Sequence, residues 1–229
     1  LGTAVMTTIP DVKSKIARSS ASVTYKQILG DLQTALDMFA DGWTKGCFYA
    51  SPAACKALMA RVSLYMGNYA DARKYASEVI SDYGLSLTPR SDYVAMFCGR
   101  KEGNEAIFRL NGLSGTAKLR SMFDYTSPQM YPSGKLLDIF SSDAGSWTGS
   151  DVRSELLSYK AADGTEYSGV CMKFIDTEDI AETQKRYDPF VLRLSEMYLI
   201  RAEAACHDGD TDTAVSDIVT LEARARGVK

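Results

Sequence analysis

Residues 51 to 83, SPAACKALMARVSLYMGNYADARKYASEVISDY, constrain the fold more than any other stretch, because they read as two helices closed into a hairpin. Ser51 can accept hydrogen bonds from the free amides of a first helical turn, and Pro52 behind it loses no hydrogen bond and already has helical φ. Small and apolar residues then recur at helical spacing: Ala53, Ala57, Ala60 and Leu64 on one flank, Leu58, Val62 and Tyr65 on the next, with Lys56 and Arg61 left outside. Gly67 ends the first helix. The second starts near Tyr69, carries Asp71 in its first turn where the helix dipole favours an anion, repeats Ala72, Ala76, Val79 and Ile80, and stops before Gly84.

The order of small residues follows the tetratricopeptide plan, in which alanines let two antiparallel helices touch and a glycine turns the chain. The same spacing returns near the end. Ala202 and Gly209 are seven apart like Ala60 and Gly67, and Ala214 follows Gly209 by five as Ala72 follows Gly67. Ile218 and Leu221 then fall where Ala76 and Val79 fall. Two such units suggest a helical-repeat framework over about 20–83 and 188–227, interrupted by a long insertion over about 84–187. Any helical hairpin can show this pattern by chance, which is the competing reading.

A chain of 229 residues can bury a full core. Its 26 basic against 29 acidic residues, with no Lys/Arg run to replace phosphate counterions, argue against nucleic acid as a partner. No apolar run is long enough for a signal peptide or a membrane span. Cys47, Cys55, Cys98, Cys171 and Cys206 are scattered without CxxC spacing, and His207 is the sole histidine, so neither a zinc site nor any other metal or cofactor is expected. Cys55 and Cys206 fall inside helices and are expected to pack as small apolar groups.

Residues 1 to 19 look extended. A helix follows from about Ser22 to Ala40, with Ile28, Leu29, Leu32, Ala35, Leu36 and Phe39 on the face toward the hairpin. In the connection 41–50, Phe48 is expected to plug the gap between helices, whereas Trp43 can either plug it or lie at its rim. Within the insertion, 105–110 reads as a strand, and 154–160 with 170–175 as a hairpin about Asp163-Gly164. The last pair opens at Asp188-Pro189 with a helix apolar nearly all round, so Arg193, Glu196, Arg201 and Glu203 need partners. An Arg193–Glu196 ion pair one turn apart is expected, in preference to Glu196 as a catalytic acid. Arg224 and Arg226 suit the last turn of the final helix, and Gly227 suits its end.

Enzyme templates are missing: there is no GxSxG elbow, no phosphate loop before a lysine and no HExxH. His207 reads as an exposed residue at a helix end. No pair of carboxylates is singled out for glycoside hydrolysis, which needs only that two be close in space.

Three segments together resemble the SusD/RagB family of nutrient-binding lipoproteins: TYKQILGDLQTAL with AACKALMARVSLYMGNYADARKYASEVISDYGLSL, then NEAIFRL, and finally KFI with DPFVLRLSEMYLIRAEAACHDGDTDTAVSDI. YPSGKLLDIFSSD before Asp151 and Arg153 is similar to the family's stretch ahead of a D-x-R element. The resemblance implies a mainly α fold, tetratricopeptide-like helix pairs with a loop-rich insertion bearing short β-strands. The chain is similar to the central portion of a member, or to a truncated one. Function would follow as a non-catalytic, cell-surface glycan receptor of the outer membrane, held by a lipid anchor, that passes oligosaccharides to a SusC-like TonB-dependent transporter. Sugars stack their C–H faces on aromatic rings, and Trp147, Tyr131 and Tyr125, with Trp43, are the expected contacts, chosen for aromatic character and loop placement and not from a family motif. Rival readings are a helical scaffold for protein segments and a carbohydrate-active hydrolase.

Overall fold

The structure, a computed structural model, describes residues 2–39, 42–43, 45–98, 103–112, 117–142, 150–177 and 188–227. Its centre is the predicted hairpin. Helix α2 (Pro52–Tyr65) is capped by Ser51, whose hydroxyl accepts from the Ala54 N–H at 3.1 Å. Gly67 turns the chain at φ +73°, a conformation that favours glycine, and Asn68 caps helix α3 (Tyr69–Asp82). Ala57, Ala60, Ala72, Ala76 and Val79 have no exposed surface. With methyl groups at the contact the helix axes come close, and each buried methyl adds dispersion as well as removing apolar area from water.

Helix α1 (Ala21–Met38) precedes this pair and lies against α2. Its apolar stripe is only half covered: Leu29, Leu32, Ala35 and Leu36 are partly buried and Ile28 is exposed. At the other side α3 packs on helix α7 (Leu194–His207), and α7 on helix α8 (Thr211–Arg226), so the helices stack in the order α2, α3, α7, α8 although the whole insertion separates α3 from α7 in sequence. Gly209, at φ +79°, turns the second pair as Gly67 turns the first, and Asp210 caps α8 through the Thr213 N–H at 3.1 Å. Arg73 of α3 pairs with Asp210 and so ties one hairpin to the next. The second pair is less enclosed than the first, since Val215, Ile218 and Val219 are all more than two-fifths exposed.

The insertion leaves and rejoins the helices through two short antiparallel strands, β1 (Ala106–Arg109) and β4 (Phe190–Arg193), with Ala106 opposite Arg193 and Arg109 opposite Phe190. A second hairpin, β2 (Ser158–Lys160) with β3 (Glu166–Ser168), turns at Gly164. Among the described residues, helices α4 (Tyr93–Cys98), α5 (Ala117–Phe123) and α6 (Gly134–Ser142) and three 3-10 turns, Arg90–Asp92, Val152–Leu157 and Met172–Phe174, complete it. Tyr93, Met96, Val152, Leu156, Val170, Met172 and Ile175 form its own small core, apart from the helical core that holds Ile107, Leu192, Leu194 and Met197.

Ionic groups lock the two cores together. Glu105, with no exposed surface, receives Arg224 at 2.8 Å, Arg193 at 3.4 Å and the Thr88 N–H at 2.9 Å. Asp151 accepts the Arg153 N–H at 2.9 Å and lies 3.5 Å from Arg226, and both arginines also meet Glu222 of α8.

Several expectations need correction. Residues 190–193 form β4, so the last helix pair starts at Leu194 and Asp188-Pro189 caps nothing. The short run Phe190–Arg193 follows a strand because β1 offers it a partner. The insertion hairpin is shorter than read and its second strand lies earlier: Ser158–Lys160 pairs with Glu166–Ser168, not with 170–175, and 152–157 and 172–174 take 3-10 geometry. Glu196 pairs with Arg61, at 2.5 and 2.6 Å, and not with Arg193, which turns to Glu105; Arg61 is therefore inside the stack, and Lys56 pairs with Glu78 at 2.9 Å. Arg224 and Arg226 turn inward to carboxylates, with Gly227 ending the helix at φ +84° as expected. Cys206 is exposed, whereas Cys55 and Cys98 are buried.

Two predictions follow from this packing. Glu105→Ala leaves two arginines without their shared carboxylate and is expected to cost about 3–5 kcal/mol in urea unfolding, whereas Glu166→Ala, at an exposed pair with Lys160, should cost less than about 1 kcal/mol. For the thiols, burial pushes Cys98 up to about 12 and raises Cys55 as well. Iodoacetamide at neutral pH should therefore modify Cys206 in the folded chain and reach Cys55 and Cys98 only after denaturation, as peptide mass mapping would record.

Candidate functional site

A chain of this plan can build a recess wherever a loop must bridge the gap between a helix end and a strand edge. The connection after α1 does so. The Cys47 carbonyl accepts the Arg109 N–H at 2.8 Å, which pins the connection to β1. Phe48 sits half-buried under the Arg109 guanidinium, 5.9 Å from its ring centre, against β1. The same guanidinium lies 4.3 Å over Phe190 of β4 and donates to the Asp188 carbonyl at 3.2 Å.

Between this connection, the end of α1, the first turn of α2 and β1 lies a cleft of about 810 Å³. That volume falls in the range of small-molecule sites. Its floor is apolar, with Ala53 and Ile107 from the helical core, and Leu36 and Leu85 at the sides. Aromatic rings come from Phe39, Trp43 and Tyr83, and polar groups from Lys45, Asn104 and Arg109. Trp43 is 37% exposed and meets the edge of Phe39 at 4.9 Å, so the indole is held by a neighbour yet reachable from solvent. Lys45 Nζ lies 5.3 Å from the Trp43 ring centre and 5.2 Å from that of Tyr49, within cation–π range of both. Asn104 is held by its own donation to the Gly84 carbonyl at 2.6 Å.

Of the three expected aromatic residues that lie among the described residues, Trp43, Tyr125 and Tyr131, Trp43 alone lines this cleft. Tyr125 packs in a ring cluster, 4.6 Å from Tyr159 and 4.9 Å from Tyr167, against the core of the insertion. Tyr131 is 68% exposed in the stretch that leads to α6 and lines neither this cleft nor the smaller groove of about 430 Å³ beside α6. Trp147 lies outside the described residues. The structure thus does not bring Trp43, Tyr125 and Tyr131 together. Reading the sequence for loop aromatics overlooked Lys45, Tyr83 and Arg109. Lys45, two residues from Trp43, carried a local signal, while Tyr83 and Arg109 reach the cleft only through tertiary placement.

The other titratable groups singled out in the sequence have structural work. Glu196 is satisfied by Arg61, and the Asp151–Arg153 element caps a 3-10 turn and braces α8. His207, exposed as expected, stacks on Tyr69 with ring centres 3.8 Å apart. Among the described residues no group of three or more His, Cys, Asp or Glu side chains could hold a metal ion.

A family model described as the SusD family matches residues 40–227. Among curated proteins none matches the chain. A SusD superfamily protein from Bacteroides thetaiotaomicron VPI-5482 is 24% identical, with a TM-score of 0.78 over 99% of this chain and 52% of that one. A SusD-like carbohydrate binding protein from Bacteroides vulgatus ATCC 8482 is 22% identical, with a TM-score of 0.75 over 99% of this chain and 48% of that one. A laminarin binding SusD-like protein is 20% identical, with a TM-score of 0.70 over 97% and 58% of the respective chains. At such identities the likeness is one of fold, and the chain spans about half the length of these structures.

Proposed function

The chain belongs to the SusD family, and from that premise we propose that it binds oligosaccharides at a cell surface and passes them to a SusC-like TonB-dependent outer-membrane transporter without cleaving them. The observation that carries this reading is the family match itself, over residues 40–227. Two solved structures of the same fold are named for carbohydrate and for laminarin binding, which supports a glycan as the ligand class. Among the described residues no helix is long and apolar enough to cross a membrane. A lipid anchor of the kind the resemblance implies would hold the full-length protein at the outer membrane.

The cleft supplies the chemistry that a sugar needs. A pyranose turns a C–H face to an aromatic ring and its hydroxyls to polar groups, and Trp43 and Tyr83 with Asn104 offer both within one recess. Trp43 is accordingly placed first among the binding residues. Tyr131, freely exposed, and Trp147 are the next candidates, and Tyr125, packed with Tyr159 and Tyr167, comes last.

Isothermal titration against a panel of plant, host and microbial oligosaccharides tests this. At least one glycan is expected to bind with Kd between about 1 mM and 1 µM, and Trp43→Ala should weaken it by about tenfold or more, a change of about 1.4 kcal/mol. Reducing sugar should not be released from any of them. Binding that Trp43→Ala leaves intact would remove the cleft as the site, and tight binding of a peptide with no glycan bound would replace the receptor reading by a protein-binding scaffold.

A further inference from the structure

The cations around the cleft are not equivalent. Arg109 lies 4.0 Å from the Asp188 carboxylate and donates to the same residue's carbonyl. Lys56, 5.4 Å from the Tyr83 ring, is paired with Glu78 at 2.9 Å. Lys45 has two aromatic rings beside its ammonium and, among the described residues, no carboxylate. No Asp or Glu among the described residues lines the cleft, in a chain whose formal net charge is −3. The first turn of α2, with Ser51, Pro52 and Ala53 at the wall, turns the positive end of a 14-residue helix the same way.

A wall whose charged side chains among the described residues are all cations, with an exposed ammonium, suits an anionic ligand. An exposed cation–π contact is weak beside an ion pair, so Lys45 can leave a ring face readily when a stronger partner arrives. An anionic group fixed to a sugar would draw the ammonium aside and free the face of Trp43 for the pyranose ring, coupling the ion pair to the stacking contact.

Resting on the glycan reading of the cleft given above, we propose that this chain selects acidic oligosaccharides, with Lys45 pairing the carboxylate of a uronic-acid unit whose ring stacks on Trp43. Neutral sugars would keep the stacking contact and lose the ion pair. The selectivity is then a property of one side chain and can be removed without touching the aromatic wall.

The test compares an oligogalacturonide with its methyl ester, identical except for charge, and with a sulfated oligosaccharide, by titration calorimetry on the full chain. The acid is expected to bind about tenfold tighter than the ester at low salt, a ratio that shrinks as the Debye length falls to about 8 Å at physiological ionic strength. Lys45→Met should bring the acid-to-ester ratio to about one and Lys45→Arg should restore it. Circular dichroism should be unchanged in both, since the side chain is exposed. Equal binding of acid and ester by the unaltered chain, or a ratio that survives Lys45→Met, would overturn the proposal while leaving glycan binding intact. Binding of the sulfated oligomer without the uronide would overturn the carboxylate assignment. If neither these ligands nor any neutral glycan binds, the receptor reading fails and this inference fails with it.

Discussion

Everything in this structure depends on how a carboxylate can be taken out of water at Glu105. The residue has no exposed surface, and burying an ionised carboxyl alone would cost several kcal/mol. Two arginines from opposite ends of the second helical unit, Arg193 where β4 meets α7 and Arg224 near the end of α8, converge on it with the Thr88 amide. Arg224 is itself stacked 4.7 Å over Tyr93, from the core of the insertion. One buried side chain therefore joins β1, the helix stack and the insertion, and none of these can shift without leaving a charge unpaired.

Given that junction, the alanine stripes decide the rest. Methyl-sized contacts let α2 and α3 approach, and α3 presents its next face to α7 as though the insertion were absent. The insertion behaves as a side branch whose two stems, β1 and β4, lie together as antiparallel strands. This is why the cleft can exist. Its floor belongs to the helical core, its wall to β1 and its rim to a connection tied to β1 by the backbone hydrogen bond from Arg109 to Cys47.

The helical hairpin, its caps and the return of its spacing near the end were legible because they are local: Ser51, Pro52, Gly67 and the alanines act within a turn or two of themselves. What was illegible depended on contacts across more than a hundred residues. FVLRLSEM fits either a strand or a helix over so few residues, and only the presence of β1 decides it. Once the helix start was placed too early, Arg193 and Glu196 looked like neighbours on one face. The structure sends one to Glu105 and the other to Arg61, 135 residues away in sequence. The candidate site was legible only at Trp43, since the cleft is assembled from three separated stretches, 36–53, 83–85 and 103–109, and the most conspicuous tyrosines of the insertion were needed for its own small core.

The division of labour between the two cores bears on how the proposed receptor would release a glycan. A protein that passes its ligand on cannot hold it too tightly, and each 1.4 kcal/mol of added binding slows release by about tenfold when the association rate is unchanged. A recess with a rigid floor gives a ring a fixed place to lie, while a ligand group held by an exposed lysine is screened and short-lived. Stacking then sets position, and charge sets preference. Neither the buried carboxylate of Glu105 nor the half-buried Arg61–Glu196 pair lines the cleft, so a glycan bound there would leave undisturbed the interactions on which the fold depends.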